Sequence, residues 1–184
     1  MSKFNASFMS TNTKYEVQRT NNFRFIAPTA IDPDGLIELA CESTGLPTIS
    51  NDPIELSHGN SKVKVAGQAT VDDVSVVVKD FITPDIEKLL WQWRLKVYNP
   101  ETGKVGWAQN YKHDAKIIQY GPNGEVKRTW QLKGCWPTSL DLGELNYEGG
   151  DKKSITMNLS VDNAYIKRDS STNGNAAIDI GTNE

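Results

Sequence analysis

The chain has 184 residues, of which 38% are hydrophobic and 23% are charged, and its formal net charge at pH 7 is −3. This size and composition predict one globular domain with a modest core. The slight excess of acids argues against a protein that grips nucleic acid or an anionic membrane, since both functions need a basic surface.

The cysteine content and the hydropathy pattern predict the cellular compartment of the protein. Cys41 and Cys135 fall in separate predicted strands without a CxxC spacing, so neither a zinc site nor a disulfide framework is expected. No segment resembles a signal peptide, and no uncharged apolar run is long enough to cross a bilayer. We therefore expect buried thiols in a protein that is made and kept soluble inside a cell, with no membrane partner.

The two ends of the chain differ in composition from its middle. Residues 1–22 are rich in Ser, Thr and Asn, and residues 168–184 are rich in Ser, Asn and Gly. Neither end can bury much apolar surface. The sequence thus predicts a flexible N-terminal lead at 1–22, a β domain at 23–167 and a polar C-terminal tail at 168–184.

The first third of this domain reads as strands and loops. Residues 23–28 and 36–43 predict a first hairpin around the turn DPDG. Residues 44–61 predict a long protruding loop with a short strand at 54–56, because prolines and a glycine interrupt this stretch. Residues 63–67 and the alternating segment 72–80 then predict a second hairpin that turns between Gly67 and Asp72.

One helix is predicted after these strands. Thr83 is a suitable N-cap, Pro84 suits the first turn, and Pro100 ends the helix. The apolar residues fall on one face, which we expect to pack on a sheet; they are Ile86, Leu89, Leu90, Trp93 and Val97. We interpret Trp93 as a core residue rather than a ligand-stacking one.

Two further hairpins are predicted in the second half. Residues 115–120 and 125–133 flank the turn GPNG, and the stretch 133–165 predicts a further hairpin with EGGD as its turn. A change of phase near Gly143 and Glu144 predicts a β-bulge there. The polar phase of the last hairpin contains no Lys or Arg; it consists of Asp141, Glu144, Asn146, Glu148, Thr156, Asn158, Ser160 and Asp162.

The sequence contains no pattern typical of catalysis. The only histidines, His58 and His113, lie in separate polar stretches, and no glycine-rich phosphate loop precedes the helix. We therefore expect a non-enzyme with no catalytic residues, no cofactor and no metal site. An alternative of another class is a monomeric carbohydrate-binding β-sandwich that uses Trp107 and Trp136 as a stacking platform.

Three stretches together resemble one known family. They are AGQATVDDVSVVV at 66–78, NYKHDAKIIQY at 110–120, and KGCWPTSLDLGELNYEGGDKKSITMNLSVDNAY at 133–165. In this order they are similar to the major tail tube protein of contractile-tailed bacteriophages. The similarity covers about residues 23–167.

The resemblance implies a fold, a function and partners. The fold would be mainly β, with two packed antiparallel sheets in a sandwich or barrel-like arrangement and one α-helix outside. Six copies would form a ring, and rings would stack into the inner tail tube that delivers phage DNA. The implied partners are other copies, the tail sheath, the baseplate, the tail terminator and DNA that passes without specific binding. The protein would be part of the virion tail, assembled in the host cytoplasm.

The resemblance also implies three surfaces. Acids on the base-free wall would face the tube lumen, where bases would hold the passing duplex; they are Asp141, Glu144, Glu148 and Asp162. The long loop would stack rings through Leu46, Pro47, Ile49, Asp52, Ile54 and Glu55. The helix would face the sheath through Glu87, Lys88, Gln92 and Lys96.

Two interpretations of this resemblance stay open on sequence alone. The same fold also serves as the inner tube of phage-derived injection particles or secretion systems, which pass a protein instead of DNA. For the acidic wall, an ordinary solvated sheet face is the alternative to a lumen.

Overall fold

A computed structural model describes residues 17–147 and 150–167. Within these ranges the chain forms eleven strands and three helices. In chain order they are β1 (Phe23–Ile26), α1 (Leu36–Ala40), β2 (Cys41–Thr44), β3 (Ile49–His58), β4 (Ser61–Val71), β5 (Val74–Lys79), α2 (Ile86–Val97), β6 (Tyr98–Asn99), β7 (Lys104–Val105), α3 (Ala108–Tyr111), β8 (His113–Tyr120), β9 (Val126–Asp141), β10 (Ser154–Ser160) and β11 (Asn163–Lys167). In the described part, no helix combines the length and apolar character that spanning a membrane requires.

The long strand β9 organises the sheet. Seven strands form one antiparallel sheet. Six of them follow the order β1-β8-β9-β10-β5-β2, and the seventh, β11, pairs with β9. The first half of β9 lies between β8 and β11, and the second half pairs with β10. The two halves of the sheet thus share one strand and enclose one core. This arrangement confirms the predicted mainly β fold of packed antiparallel sheets, without closure into a barrel in the described residues.

A glycine allows β9 to change its course between the two halves. The register with β8 shifts between the pairs His113–Cys135 and Ala115–Leu132, and Gly134 at this point has φ 65°. Such left-handed backbone favours glycine. A Cβ at Gly134 would also lie 2.2 Å from Oδ2 of Asp162. No larger residue fits this position without a shift of its neighbours.

The core is built from alternate residues of both halves of the sheet. On β5 and β10 the alternation is regular, so that one face is buried and the other is polar. The fully buried side chains of these strands are Val74, Val76, Val78, Ile155, Met157 and Leu159. Phe25, Ile117 and Leu132 join the same cluster from β1, β8 and β9.

The helix α2 closes this core and confirms the predicted helix. Four of the five predicted stripe residues are buried, and Leu89 is half-buried against the core. Trp93 is fully buried, and its Nε1 donates a hydrogen bond to the carbonyl of Tyr111 at 2.9 Å. The cap differs from the prediction, because Asp85 and not Thr83 accepts the bond from the amide of Lys88. Two short helices, α1 and α3, were not predicted.

The first predicted hairpin is wrong. β1 pairs with β8, residues 36–40 form α1, and β2 pairs with β5. The cause is Asp32, whose buried carboxylate accepts hydrogen bonds from the amides of Leu36 at 2.8 Å and Ile37 at 2.7 Å. These bonds satisfy the first donors of α1, so the DPDG segment begins a helix instead of turning between strands.

The other predicted hairpins have mixed outcomes. The hairpin around GPNG is confirmed by the pairing of β8 with β9. The second predicted hairpin is wrong, because β4 pairs with β3 while β5 pairs with β2 and β10. For the last hairpin, β9 does pair with β10, but β9 already ends at Asp141. The register shift lies at Asn158 and Leu159, not at Gly143 and Glu144.

Replacing the buried cap of α1 should destabilise the fold. We expect Asp32→Ala to lower the free energy of unfolding by about 1–3 kcal/mol, because two backbone donors lose their acceptor in a buried place. The matched control is Asp34→Ala, which removes an exposed carboxylate two residues away and should cost less than about 0.5 kcal/mol. Denaturant unfolding measures both values; equal values for the two variants would contradict the assigned role of Asp32.

Candidate functional site

The strands β3 and β4 form a ribbon that stands apart from the main sheet. Among the strands of the described residues, they pair only with each other, and β4 also touches β11. Every residue of β3 is exposed, and on β4 only Gly67 and Val71 are half-buried. The predicted protrusion is therefore present, but the predicted loop at 44–61 is wrong in its structure. Pro53 is compatible with the strand because a two-stranded ribbon leaves one side of each strand without pairing.

The outer half of this β3–β4 hairpin is amphipathic. Ile54 lies opposite Val65, and Leu56 lies opposite Val63. Because alternate residues of a strand share a face, these four side chains lie together. They are 52%, 42%, 52% and 53% exposed. We call these four residues the apolar face of the hairpin.

The opposite face of the hairpin is charged. Glu55 lies directly across from Lys64, and Lys62 also reaches Glu55. The Nζ–Oε distances to Glu55 are 2.9 Å from Lys62 and 3.4 Å from Lys64. Two lysines share one carboxylate, so this face has a net positive charge.

A bulge near the base shifts the register of the outer half of the hairpin by one residue relative to the base. The register shifts between the pairs Asn51–Ala69 and Pro53–Ala66, where the Asn51 side chain donates to the carbonyl of Gly67 at 3.1 Å. A Cβ on Gly67 would lie 2.2 Å from the carbonyl oxygen of Asp52. Glycine is therefore required at the bulge.

Most of the predicted stacking residues belong to this hairpin or its base. Ile49, Asp52, Ile54 and Glu55 lie on β3 and are exposed, and Leu46 just before it is 48% exposed. Pro47 is buried, so it is not accessible to a partner. An isolated two-stranded ribbon is marginally stable in water. An exposed apolar face on such a ribbon is typical of a surface that another molecule covers.

The outer face of the second half of the sheet is polar and mainly neutral. On β10 it consists of Ser154, Thr156, Asn158 and Ser160, each half-buried between neighbouring strands. Asn158 donates to Oγ of Ser139 at 2.9 Å. At one end of this face, Lys79 and Glu42 approach to 3.7 Å. We call this surface the polar face.

The structure does not bring the predicted lumen acids together on this face. Asp141 lies at its edge, opposite Thr156, and accepts a hydrogen bond from the amide of Gly143 at 3.0 Å. Glu144 follows the end of β9 and is exposed. Glu148 lies outside the described residues. Asp162 lies in the turn between β10 and β11, about 25 Å from Asp141 along β9.

The predicted absence of bases near these acids is also wrong. Lys112 Nζ binds both carboxylate oxygens of Asp162 at 2.7 and 2.9 Å. Next to it, Lys133 binds Asp114, and this hydrogen bond is the main cause of a lowered pKa of Asp114. Lys112 is 50 residues from its partner in sequence, so strand alternation alone cannot reveal the pair.

On α2, the predicted polar residues divide into two groups. Lys88, Gln92 and Lys96 are exposed and, being four residues apart, form one stripe. Glu87 instead binds Lys153, which also contacts Asp80 at 3.1 Å. The hydrogen bond with Glu87 is the main cause of a raised pKa of Lys153. This ion-pair cluster joins the start of α2 to the start of β10.

Neither cysteine carries a reactive thiolate at neutral pH. Burial raises the pKa of Cys41 to about 11 and that of Cys135 to about 12, so both thiols are protonated at neutral pH. His58 ends β3, and His113 begins β8. Within residues 17–147 and 150–167, no group of three or more His, Cys, Asp or Glu residues could hold a metal ion.

The two tryptophans of the carbohydrate alternative differ in their surroundings. Trp107 is 77% exposed at the start of α3. Trp136 is half-buried and contacts the Tyr111 ring edge-on, with 5.7 Å between the ring centroids. The contact occupies one side of Trp136 with another ring of the same chain.

Comparisons with known proteins find a similarity to tail tube proteins. The family model for the T4-like virus tail tube protein gp19 matches residues 19–164. Tail tube protein gp19 of Enterobacteria phage T4 is 28% identical over 127 residues, which are 66% of this chain and 77% of that protein.

Two solved structures of an extracellular contractile injection system, PVC, have a similar fold. A chain of its sheath/tube terminator in the extended state matches with a TM-score of 0.66 and 19% identity, over 85% of this chain and 100% of that chain. A chain of its sheath–tube complex in the extended state matches with a TM-score of 0.65 and 19% identity, over 89% and 97% of the two chains.

Proposed function

Because the chain belongs to the T4-like virus tail tube protein gp19 family, we propose that it polymerises as stacked hexameric rings into the inner tube of a contractile phage tail, through which DNA is delivered. Proteins of this family are structural components of the virion and not enzymes. The subunits assemble in the host cytoplasm and remain in the tail.

The observation that carries the proposal is the apolar face of the β3–β4 hairpin. Ile54, Leu56, Val63 and Val65 are about half exposed on a ribbon with few contacts to its own core. A tube of stacked rings offers every subunit except those at one end a neighbour that can cover this face. The predicted stacking residues Leu46, Ile49, Asp52, Ile54 and Glu55 are accordingly proposed to lie at the contact between rings.

Within a ring, the free sheet edges supply the second kind of contact. β11 is an edge strand on β9, and its Tyr165 and Ile166 are 45% and 40% exposed. The edge strands β1 and β2 lie at the two ends of the sheet order. Pairing of such edges between neighbours removes unpaired backbone groups and closes a ring.

The polar face is proposed to line the lumen. Its central side chains are Ser, Thr and Asn, and Asp141 at its edge has no lysine or arginine partner within the described residues. Contacts between bases and phosphates add along a duplex, so a wall with a neutral centre, whose Lys79 at one end lies near Glu42, lets DNA slide. Of the predicted lumen acids, Asp141 stays on this face. Asp162 is neutralised by Lys112, and Glu144 lies beyond the strand.

The exposed stripe of α2 is proposed to face the tail sheath. Lys88, Gln92 and Lys96 point away from the core that Ile86, Leu90 and Trp93 enter. The similar PVC chains come from sheath–tube and terminator assemblies. We extend the proposal to a sheath, a tail terminator and a baseplate as partners of this chain.

Disrupting the apolar face of the hairpin should block tube formation without unfolding the subunit. For the double variant Ile54→Ser/Leu56→Ser, we expect the protein concentration needed for tube formation to rise at least about tenfold, because two apolar side chains lose their burial between copies. Electron microscopy and sedimentation at increasing concentration measure this value. A thermal melt equal to the wild type confirms that the core is intact.

The matched control alters the charged face of the same two strands. Lys62→Ser/Lys64→Ser also replaces two exposed residues of the hairpin, which lie on β4 and point to the face opposite the apolar one. We expect tubes to form within about threefold of the wild-type concentration, since exposed charged residues contribute little to association. Tubes from both double variants at the wild-type concentration would contradict the role of the apolar face.

A base on the polar face should make the tube retain DNA. When tubes assemble in the presence of a short duplex, we expect Asp141→Lys tubes to hold DNA that a nuclease cannot digest and high salt releases. Wild-type tubes should hold none. Asp34→Lys, with the same change of net charge in an exposed loop outside this face, should also hold none. Nuclease-resistant DNA in both variants, or in neither, would contradict the lumen assignment.

A further inference from the structure

We infer that the C-terminal tail of this chain docks on the outward side of α2 in the same copy, where Ile178 and Ile180 contact an apolar surface and Asp179 pairs with Arg94. The inference goes beyond the proposed function, because residues 168–184 lie outside the residues that the family model matches. The tail also lies outside the described residues, whereas the surface that receives it lies within them.

The outward side of α2 carries an apolar surface. Trp91 and Leu95 are four residues apart, and Tyr98 follows three residues later at the helix end, so the three side chains are neighbours. Val105 joins them, because it lies directly opposite Tyr98 in the pair of β6 and β7. Trp91, Tyr98 and Val105 are 43%, 41% and 73% exposed, and Leu95 is half-buried. We call these four residues the aromatic surface of α2.

The strand β7 is held against the end of this helix. The amide of Gly106 donates to the carbonyl of Val97 at 2.9 Å, and a Cβ at Gly106 would lie 1.9 Å from the carbonyl oxygen of Lys96. Only glycine therefore allows this approach of the two backbones. The close contact keeps Val105 beside Tyr98, so that the aromatic surface is continuous across both elements.

Arg94 lies beside the aromatic surface and lacks an acidic partner. It is three residues after Trp91 and four before Tyr98, which places its side chain next to both. Its Nη1 atom is buried without a hydrogen-bond partner, and Arg94 forms no ion pair within the described residues. A buried guanidinium nitrogen without a partner is costly. A carboxylate from outside the described residues would satisfy it.

The charge around the aromatic surface favours an acidic occupant. Residues 88–100 contain no acid and three bases, which are Lys88, Arg94 and Lys96. None of the three forms an ion pair in the part of the chain that the structure describes. The nearest acids in sequence are Glu87, which Lys153 binds, and Glu101 in the turn after β6. The occupant therefore needs carboxylates together with apolar side chains.

The C-terminal tail has this chemistry, and the N-terminal lead does not. In the tail, Ile178 and Ile180 flank Asp179. Asp179 and Glu184 are the only charged side chains of residues 174–184. The N-terminal lead instead contains three bases and one acid, so its charge does not complement α2. Of the two ends of the chain, the acidic one fits this surface.

The tail is long enough to reach α2 of its own copy. It starts after Lys167, which lies opposite Thr129 on β9. The end of α2 lies near Cys135 on the same strand, since Trp93 bonds to Tyr111, two residues before the β8 partner of Cys135. The intervening part of β9 is about 20 Å long. The roughly eleven tail residues that lead to the Ile-Asp-Ile triplet span up to about 36–40 Å.

Disulfide formation in the full chain tests the contact directly. Ile178→Cys and Tyr98→Cys are combined in a Cys41→Ser background, and the dilute subunit is oxidised. We expect an intramolecular disulfide to form at least about tenfold faster than in the control pair Ile178→Cys/Tyr165→Cys, because docking raises the effective concentration of one thiol near the other. Tyr165 has a similar exposure and lies close to the start of the tail, so an undocked tail would favour the control pair.

The second test removes the charge pair. We expect Arg94→Gln to slow the disulfide between positions 98 and 178 by about tenfold, because the tail loses a charge-assisted hydrogen bond. The matched control, Lys116→Gln, removes an exposed base on β8 and should leave the rate unchanged. Asp179→Lys alters only the tail, so it leaves the core intact and should slow the disulfide as well. A thermal melt of each variant checks the fold.

The possible results separate this inference from the proposed function. Equal rates for the two cysteine pairs would show a tail without a preferred site and would overturn the inference. Disulfide-linked dimers instead of the intramolecular product would place the tail on another copy and would also overturn it. Wild-type rates in both Arg94→Gln and Asp179→Lys would contradict the charge pair. These readouts use dilute subunits and do not depend on tube formation, which the hairpin variants test separately.

Discussion

Within the described residues, the β3–β4 hairpin leaves its apolar face about half exposed, and the proposed assembly depends on this feature. Alternation along β3 and β4 places Ile54, Leu56, Val63 and Val65 on one side and the ion pairs of Glu55 on the other. The ribbon leaves the sheet between β2 and β5, away from the core. An exposed apolar face of this kind is typical of a surface that another molecule covers, and in the proposed tube a neighbouring copy covers it.

The body of the subunit is built on one sheet and one helix that enclose a common core. β9 belongs to both halves of the sheet, and α2 with Trp93 covers their common core. The ion pairs of Lys153 join the start of α2 to the start of β10 at the end opposite the hairpin. All these elements therefore share one core.

Local signals in the sequence predicted part of this fold. The apolar stripe predicted α2, and the GPNG turn predicted the pairing of β8 with β9, since both depend on neighbouring residues. The DPDG segment was misread because aspartate is favoured both in turns and at helix starts, and only the burial of Asp32 separates the two cases. The partners of β1, β2 and β5 could not be predicted, because alternation shows which face is buried and not which strand lies beside it.

The sequence predicted the candidate surfaces only in part, as it did the fold. The exposed position of residues 44–61 followed from their composition, but the pairing of Ile54 with Val65 required the register of two strands. The acids were expected on one wall because their spacing alternates. In the structure β9 already ends at Asp141, and Asp162 is bound by Lys112, so the acids do not form one wall.

Hydrogen exchange of the hairpin amides is the most direct test of whether another copy covers this ribbon. The comparison is between dilute subunits and assembled tubes of the same wild-type protein, read on the backbone amides of residues 49–71. We predict fast exchange in the subunits and slowing by at least about tenfold in the tubes, while the amides of β10 are protected in both states. Equal exchange of the hairpin in the two states would contradict its proposed place between rings.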